Sequence, residues 1–153
     1  MFEAVSKGPA CCSADIEEFE SFLHTELPVE YKNFLMQFNG CIPAYNCDSH
    51  HTPIDLPGGK TITVHQFYSL SNQCEPIRNL HEETENCIGF LPSTAFPFAH
   101  DSFGNVLCLE CDSGNVHWIL LEERYTLDYM RVFDLGVTFK VFLEGLQAGP
   151  YSE

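Results

Sequence analysis

The sequence predicts an α+β domain with two N-terminal helices, a mainly antiparallel twisted sheet of about five or six strands, and a C-terminal helix. Apolar residues recur at helical spacing near both ends of the chain, whereas the middle contains short β-prone runs separated by glycine-containing turns. Helices and strands are therefore segregated along the chain. Segregation of this kind favours an antiparallel sheet over the parallel sheet that repeated βαβ units would build.

The first helix is predicted in the stretch SADIEEFESFLHTEL. Asp15 and Glu18 stand three residues apart, which resembles a capping box with Asp15 at the N-cap. Ile16, Phe19 and Leu23 share one face of this helix, and the acidic residues between them occupy the opposite, solvated face.

The second helix is predicted in the stretch LPVEYKNFLMQFNG. Pro28 stands in the first turn, where its missing N–H group is tolerated. Asn39 and Gly40 stand at the other end, where a left-handed cap is favoured. The apolar stripe of this helix has i, i+3, i+4, i+7 spacing and consists of Tyr31, Phe34, Leu35 and Phe38.

The β-rich middle of the chain begins at Cys41. Residues 41–60 are predicted to form loops with at most one short strand. Strands are predicted in the later runs TITVHQFYSL, CIGFLP, AFPFAHD, VLCLEC and VHWILLEE, and the stretch NQCEPIRNLHEETE indicates a short helix or an ordered connection. Turns are expected at residues 101–105 and 112–115, because each segment contains a glycine and short polar residues.

A last strand and a last helix are predicted to close the domain. The strand covers residues 129–133, and the helix begins at about Thr138. The stripe of this helix repeats the helical spacing and consists of Phe139, Phe142, Leu143 and Leu146.

Length and composition favour one domain with a substantial core, since the chain has 153 residues and 44% of them are hydrophobic. We assign residues 13–148 to this domain, residues 1–12 to a flexible N-terminus and residues 149–153 to a C-terminal tail. The chain shows no signal-peptide pattern and no apolar run of the roughly 20 residues that span a bilayer. The eight cysteines are therefore expected to be reduced thiols of a cytoplasmic protein.

The most unusual global feature is the charge. Twenty-two acidic residues against seven lysines and arginines give a formal net charge of −15 at pH 7. Such a surface repels nucleic acid and anionic membranes, and it attracts a basic protein partner. The simpler alternative is that the acidity only keeps the protein soluble.

Three sequence patterns resemble catalytic motifs but lack required residues. LPGGKT at residues 56–61 resembles the end of a phosphate-binding loop, yet Ile54 stands where a glycine is needed and a strand follows instead of a helix. HEETE at residues 81–85 lacks the second histidine of a zinc protease. The zinc deaminase signature is incomplete as well. We predict that the protein is not an enzyme.

Cys108 and Cys111 form a C-x-x-C pair, the strongest metal candidate. Zinc needs further ligands, and the available ones have irregular spacing: Cys41, Cys47, His50 and His51. Within one strand, Cys108 and Cys111 would also point to opposite faces unless a turn intervenes. We predict that no metal and no cofactor are bound, and we keep a zinc-stabilised or enzymatic domain as the least favoured alternative. No local signature supports a nucleophilic cysteine–histidine site.

Four segments in order resemble the Smi/Knr family of the SUKH superfamily. They are an N-terminal helix, L-P-x-x-Y-K-x-F-L followed by F-N-G, the hairpin P-F-A-x-D-x-x-G-N-x-L-C-L, and T-F-x-x-F-L near the C-terminus. Cys41 departs from the family, in which a second glycine often follows F-N-G, and the tryptophan often found before the F-x-S-L region is absent. The motif positions with expected structural roles are Pro28, Tyr31, Phe34, Asn39, Gly40, Asp101, Gly104 and Asn105.

The resemblance implies a non-enzymatic immunity protein that neutralises a cognate toxin domain, in many relatives a nuclease, in competition between bacteria. A monomer or weak dimer is expected. The alternative is an intracellular scaffold like the fungal members associated with cell-wall synthesis, although those usually carry long extensions. A basic toxin would bind the acidic clusters, whose members are Asp15, Glu17, Glu18, Glu20, Glu82, Glu83, Glu85, Glu110, Asp112, Glu122 and Glu123.

Overall fold

The computed structural model describes most of the chain, and every structural statement below refers to the described residues. They are residues 4–7, 11–43, 47–48, 63–70, 77–88, 91, 94–101, 104–121, 130–145 and 147–148. The sequence motif at residues 56–61, together with His50, His51, Glu122 and Glu123, lies outside them.

The described residues form helices at both ends of a long β region. The helices are α1 (Ser13–Leu23), α2 (Val29–Phe38), α3 (Leu80–Asn86) and α4 (Phe139–Gly145). The strands are β1 (Ala4–Lys7), β2 (Cys41–Pro43), β3 (Cys47–Asp48), β4 (Thr63–Phe67), β5 (Ala95–Asp101), β6 (Val106–Glu110), β7 (Asn115–Leu121), β8 (Met130–Thr138) and β9 (Gln147–Ala148).

The strands join into one sheet in the order β1-β2-β4-β5-β6-β7-β8, and neighbouring strands are antiparallel. Strands β2 and β4 to β8 form a six-stranded body, and the short strands β1, β3 and β9 extend it at its margins. The predicted α+β fold with an antiparallel sheet and flanking helices is therefore confirmed.

The core lies between one face of the sheet and the helices α1 to α4, each of which contributes buried residues to it. Phe96 of β5 contacts Phe19 of α1 and Tyr31 of α2, with ring centroids 5.6 and 5.2 Å apart. Phe98, two residues further along β5, lies 5.3 Å from Phe139 of α4, and these rings meet edge to face. Because side chains alternate along a strand, Phe96 and Phe98 share the face that the helices cover.

The predicted N-cap of α1 is wrong by three residues, although the helix begins at Ser13, the first residue of the predicted stretch. Cys12 is the N-cap, and the Asp15 carboxylate reaches back to accept the backbone N–H of Cys12 at 3.2 Å. Asp15 therefore occupies the third helical position of the capping box, and Glu18 has no capping role. The physical reason is that a carboxylate at this position satisfies an orphan N–H donor one turn earlier in the chain.

The predicted end of α2 is confirmed in detail. Asn39 and Gly40 both have positive φ angles, 31° and 84°. A β-carbon on Gly40 would lie 2.5 Å from the β-carbon of Ser69, so glycine is required by both conformation and space. The Asn39 side chain accepts the backbone N–H of Leu70 at 2.9 Å, which ties the end of α2 to the segment after β4. Pro28 is the N-cap of α2, one position before the predicted first turn.

Several predicted strand boundaries differ from the structure. Two short strands, β2 and β3, lie in the region where at most one was predicted, and β1 was not predicted. The run CIGFLP forms only an isolated bridge between Ile88 and Leu91 among its described residues, because Cys87 still caps α3. Strand β8 extends to Thr138, well beyond the predicted residue 133, because β7 pairs with it along its whole length. These strands depend on partners distant in sequence, which local patterns do not reveal.

Candidate partner-binding surface

Three of the acidic clusters come together around helix α1. On one side, the Phe22 ring of α1 packs against His81 of α3, with ring centroids 4.0 Å apart. On the other side, α1 lies near the turn between β6 and β7. Burial and the charges of Glu110, Asp112 and Glu20, the last on α1, raise the pKa of Cys111 in that turn to about 12. The clusters at residues 15–20, 82–85 and 110–112 therefore form one region, which we call the α1 acidic surface.

The N-terminal part of α1 supplies the most accessible carboxylates of this surface. The backbone N–H and the thiol of Cys12 both donate to Oδ2 of Asp15 at 3.2 Å, and these bonds lower the pKa of Asp15. Asp15 is therefore ionised at neutral pH, and its Oδ1 has no partner among the described residues. Glu17 and Glu18 are exposed and likewise unpaired within the described part of the chain.

Glu20 has a structural role. Its Oε2 accepts the backbone N–H of Leu27 at 2.7 Å and lies 3.0 Å from Nζ of Lys32. Its side chain is only 15% exposed. Glu20 therefore holds the connection between α1 and α2, which leaves little of its carboxylate for a partner.

The acidic residues of α3 also include both carboxylates engaged within the protein and carboxylates exposed to solvent. Glu83 lies 3.3 Å from the guanidinium of Arg78 and accepts from the side chain of Asn86, so it stabilises its own helix. Glu85 lies 3.2 Å from His81 but stays half exposed. Glu82 is exposed, and its backbone N–H donates to the side chain of Asn79, while its carboxylate has no partner among the residues that the structure describes.

The β6–β7 turn contributes one structural and one exposed carboxylate. Glu110 accepts the Thr94 hydroxyl at 2.7 Å and the backbone N–H of Asp112 at 2.8 Å, so it shapes the turn. The Asp112 side chain is exposed. Because Lys32 and Arg78 are already paired with Glu20 and Glu83, they do not neutralise the exposed carboxylates.

A groove of about 460 Å³ lies between α1 and α3. Asp15 and Glu18 line its acidic side, and Phe19, Phe22 and His81 line its aromatic side. Leu70 and Asn79 complete the lining among the described residues. We call this concavity the α1–α3 groove. Its carboxylates were predicted from the sequence as partner-binding residues, whereas Phe22 and His81 were not. The sequence feature that could have indicated the aromatic side of the groove is Phe22, which lies at the edge of the apolar stripe of α1 and three positions after Phe19.

Cys108 and Cys111 do not converge on a common site. Cys108 alternates along β6 with Leu107 and Leu109, which belong to the main core, so its thiol lies on the opposite face. Cys111 lies in the turn and packs against the main core. Burial raises the pKa of Cys108 well above its usual value and contributes most to raising that of Cys111 to about 12, so both thiols are neutral at pH 7. Within the described residues, no three histidine, cysteine or acidic side chains are grouped to hold a metal ion.

The sheet also aligns a cysteine, a histidine and an aspartate that lie far apart in the sequence. Cys108 pairs with His117 across β6 and β7, and His117 pairs with Asp134 across β7 and β8. Nε2 of His117 lies 3.6 Å from Oδ2 of Asp134. A nucleophilic role would require a reachable thiolate, whereas Cys108 is 1% exposed and its pKa is raised. The alignment of Cys108, His117 and Asp134 therefore favours a structural role for these residues in the sheet.

A second polar cluster lies where β4 and β5 pair. Nδ1 of His100 lies 3.0 Å from the hydroxyl of Tyr68, and His65 lies beside the His100 ring at 5.3 Å. Burial, then the charge of Arg78 and then that of His65 lower the pKa of His100 to about 4. His100 is therefore neutral at pH 7 and packs against Tyr68 and His65.

These features define the class of the protein: an α+β domain of one antiparallel sheet with helices packed on one face, and with acidic clusters gathered around its first helix. The chain belongs to the SMI1 / KNR4 family (SUKH-1), whose family model matches residues 11–145. The resemblance noted in the sequence is thus confirmed.

One curated relative is the SPbeta prophage-derived uncharacterized protein YokK of Bacillus subtilis (strain 168). The two sequences are 24% identical over 113 residues, which cover 66% of this chain and 57% of that protein. The aligned part thus spans little more than half the length of the relative. Among the described helices of this chain, none has the length and apolar character needed to cross a membrane.

Proposed function

We propose that this protein is a non-enzymatic immunity protein that binds a cognate toxin domain, of nuclease type, and neutralises it through the α1 acidic surface. The observation that carries the proposal is the gathering of Glu17, Glu18, Glu82 and Asp112 around one helix while the neighbouring cations are engaged by other carboxylates. Membership of the SUKH-1 family supports it.

The physical argument is charge complementarity. A nuclease domain carries lysines and arginines where it meets phosphate groups. A protein surface rich in unpaired carboxylates attracts the same basic patch and covers it, which requires no catalytic group. The formal net charge of −15 extends the attraction over the distance at which the proteins first meet. The same charge disfavours nucleic acid and anionic membranes as partners, and we place the protein in the cytoplasm as a monomer or weak dimer.

The proposal is tested by capture from cells that carry the gene. The tagged protein is used as bait in low salt, and the proteins released by rising salt are identified. A stoichiometric basic protein whose toxicity is suppressed by coexpression would support the proposal and identify the target. Recovery of signalling enzymes would contradict it and would favour the scaffold alternative.

Stoichiometric zinc in the purified protein would reverse the interpretation of Cys108 and Cys111.

The electrostatic part of the proposal has a kinetic test. We expect the association rate constant with the captured toxin to fall by at least about tenfold between low and high salt, because screening removes long-range attraction. Stopped-flow or surface-based kinetics measure this directly. An association rate that is insensitive to salt would refute the electrostatic part, even if the two proteins form a tight complex.

A further inference from the structure

The α1–α3 groove combines two features that suit a basic side chain. It is concave, with a volume of about 460 Å³, and this volume suffices for a whole side chain with its flanking backbone. Its lining also combines carboxylates with aromatic rings. No lysine or arginine among the described residues lines it, so its carboxylates meet no internal cation there.

The order of residues along α1 explains this combination. Asp15 and Glu18 are three residues apart, and Glu18 and Phe22 are four apart, so the three side chains lie one above another on the same face of the helix. Phe22 is half-buried, and its ring is held by His81 at 4.0 Å and by Phe19 at 6.2 Å. The aromatic wall is therefore fixed in place before a partner arrives.

This chemistry matches an arginine side chain. A guanidinium group is planar, donates to two carboxylates at once and stacks on an aromatic face, whereas an ammonium group is a compact, strongly hydrated charge. Arginine is also among the residues that most often anchor protein–protein interfaces.

We infer that the α1–α3 groove receives an arginine side chain of the protein partner, with the guanidinium group between Asp15 and Glu18 and against the ring of Phe22. The inference rests on the proposed function, because it names the part of the α1 acidic surface that anchors the toxin.

The first test needs no toxin. The isotope-labelled protein is titrated with the peptide acetyl-Gly-Arg-Gly-amide and followed by nuclear magnetic resonance. We expect saturable shifts at Phe22, His81 and the amides of α1. The same peptide with glutamine in place of arginine should give no saturable shift, and the lysine peptide should bind more weakly. Equal shifts with the glutamine peptide, equal affinity for the lysine peptide, or shifts spread over all exposed carboxylates would overturn the inference.

Two variants locate the contact. Glu18→Gln should weaken arginine-peptide binding about tenfold, because it removes one charged acceptor. The matched control is Glu30→Gln, which removes the same charge from an exposed position on α2, outside both the groove and the α1 acidic surface, and should change affinity less than about twofold. Phe22→Leu keeps an apolar side chain but removes the aromatic face, so it should also weaken binding. Thermal unfolding of each variant shows whether the fold is retained. Equal effects of the two glutamine variants would contradict the inference.

The same variants separate this inference from the proposed function. If a toxin is captured and Glu18→Gln binds it as tightly as the unaltered protein does, the groove is not the anchor and the immunity role stands. If no toxin is captured but the arginine peptide binds, the groove assignment stands and the immunity role fails. Groove shifts that appear on concentrating the protein without peptide would show that a second copy of the chain occupies the groove, which would overturn the inference.

Discussion

The buried carboxylate of Asp101 provides a sharp test of how the hairpin and the sheet are held together. Asp101 is 2% exposed and closes the turn between β5 and β6. Its Oδ1 accepts the backbone N–H of Asn105 at 2.8 Å, and its Oδ2 accepts the Asn105 side chain and the Trp118 indole N–H, both at 3.1 Å. It therefore joins the turn to the neighbouring strand β7.

Replacing Asp101 with alanine should destabilise the protein strongly. A hydrogen bond to a charged acceptor contributes about 1.5–3 kcal/mol, so three such bonds set an upper range of about 4.5–9 kcal/mol. Water that enters the space left by the carboxylate can replace part of the lost hydrogen bonding. We therefore expect a loss of about 3–5 kcal/mol in the free energy of unfolding.

Urea unfolding followed by tryptophan fluorescence suits this test, since Trp118 is the single tryptophan of the chain and is itself a partner of Asp101. With a urea dependence of about 2 kcal/mol per molar, the unfolding midpoint should fall by about 1.5–2.5 M at unchanged slope. Asp112→Ala, in the exposed β6–β7 turn, is the matched control and should change stability by less than about 0.5 kcal/mol. A loss below about 1 kcal/mol for Asp101→Ala would refute the reasoning.

Two further predictions concern backbone strain and pH. Gly40→Ala should lower the free energy of unfolding by about 2–4 kcal/mol, because it combines a φ of 84° with a β-carbon 2.5 Å from that of Ser69. Gly114→Ala, at a φ of 76° with open space around it, should lower it by only about 1–2 kcal/mol. Equal losses in urea unfolding would show that the contact with Ser69 is unimportant. The pKa of His100 is lowered from 6.5 to about 4, so its contribution to stability is fully present above pH 6.5 and is lost as the pH falls toward 4. Because solvent screens part of this effect, the loss should be about 1–2 kcal/mol. His100→Gln should flatten the dependence of stability on pH between pH 6.5 and 4, and an unchanged slope in that variant would contradict the assignment.

Much of the local structure could be predicted because its causes are local. The stripe of Tyr31, Phe34 and Leu35 follows from helical periodicity, and all three residues are buried. The end of α2 at Asn39 and Gly40 follows from the need for positive φ angles. The N-cap of α1 was misplaced for a physical reason, since Asp15 can cap a helix from within its first turn as well as from the N-cap.

The sequence by itself determined the helices, the hairpin turn closed by Asp101, the acidic character of the chain and its family, because periodicity, turn chemistry and composition act over a few residues or over the whole chain at once. The tertiary structure alone decided which acidic residues remain free. Glu18 and Glu20 look alike in the sequence, yet Glu20 is engaged by Lys32 and by the backbone of Leu27. The tertiary structure also placed His81 beside Phe22 and so formed the groove. Contacts of this kind join residues far apart in sequence, and they arise only when the packing of the core brings whole helices and strands together.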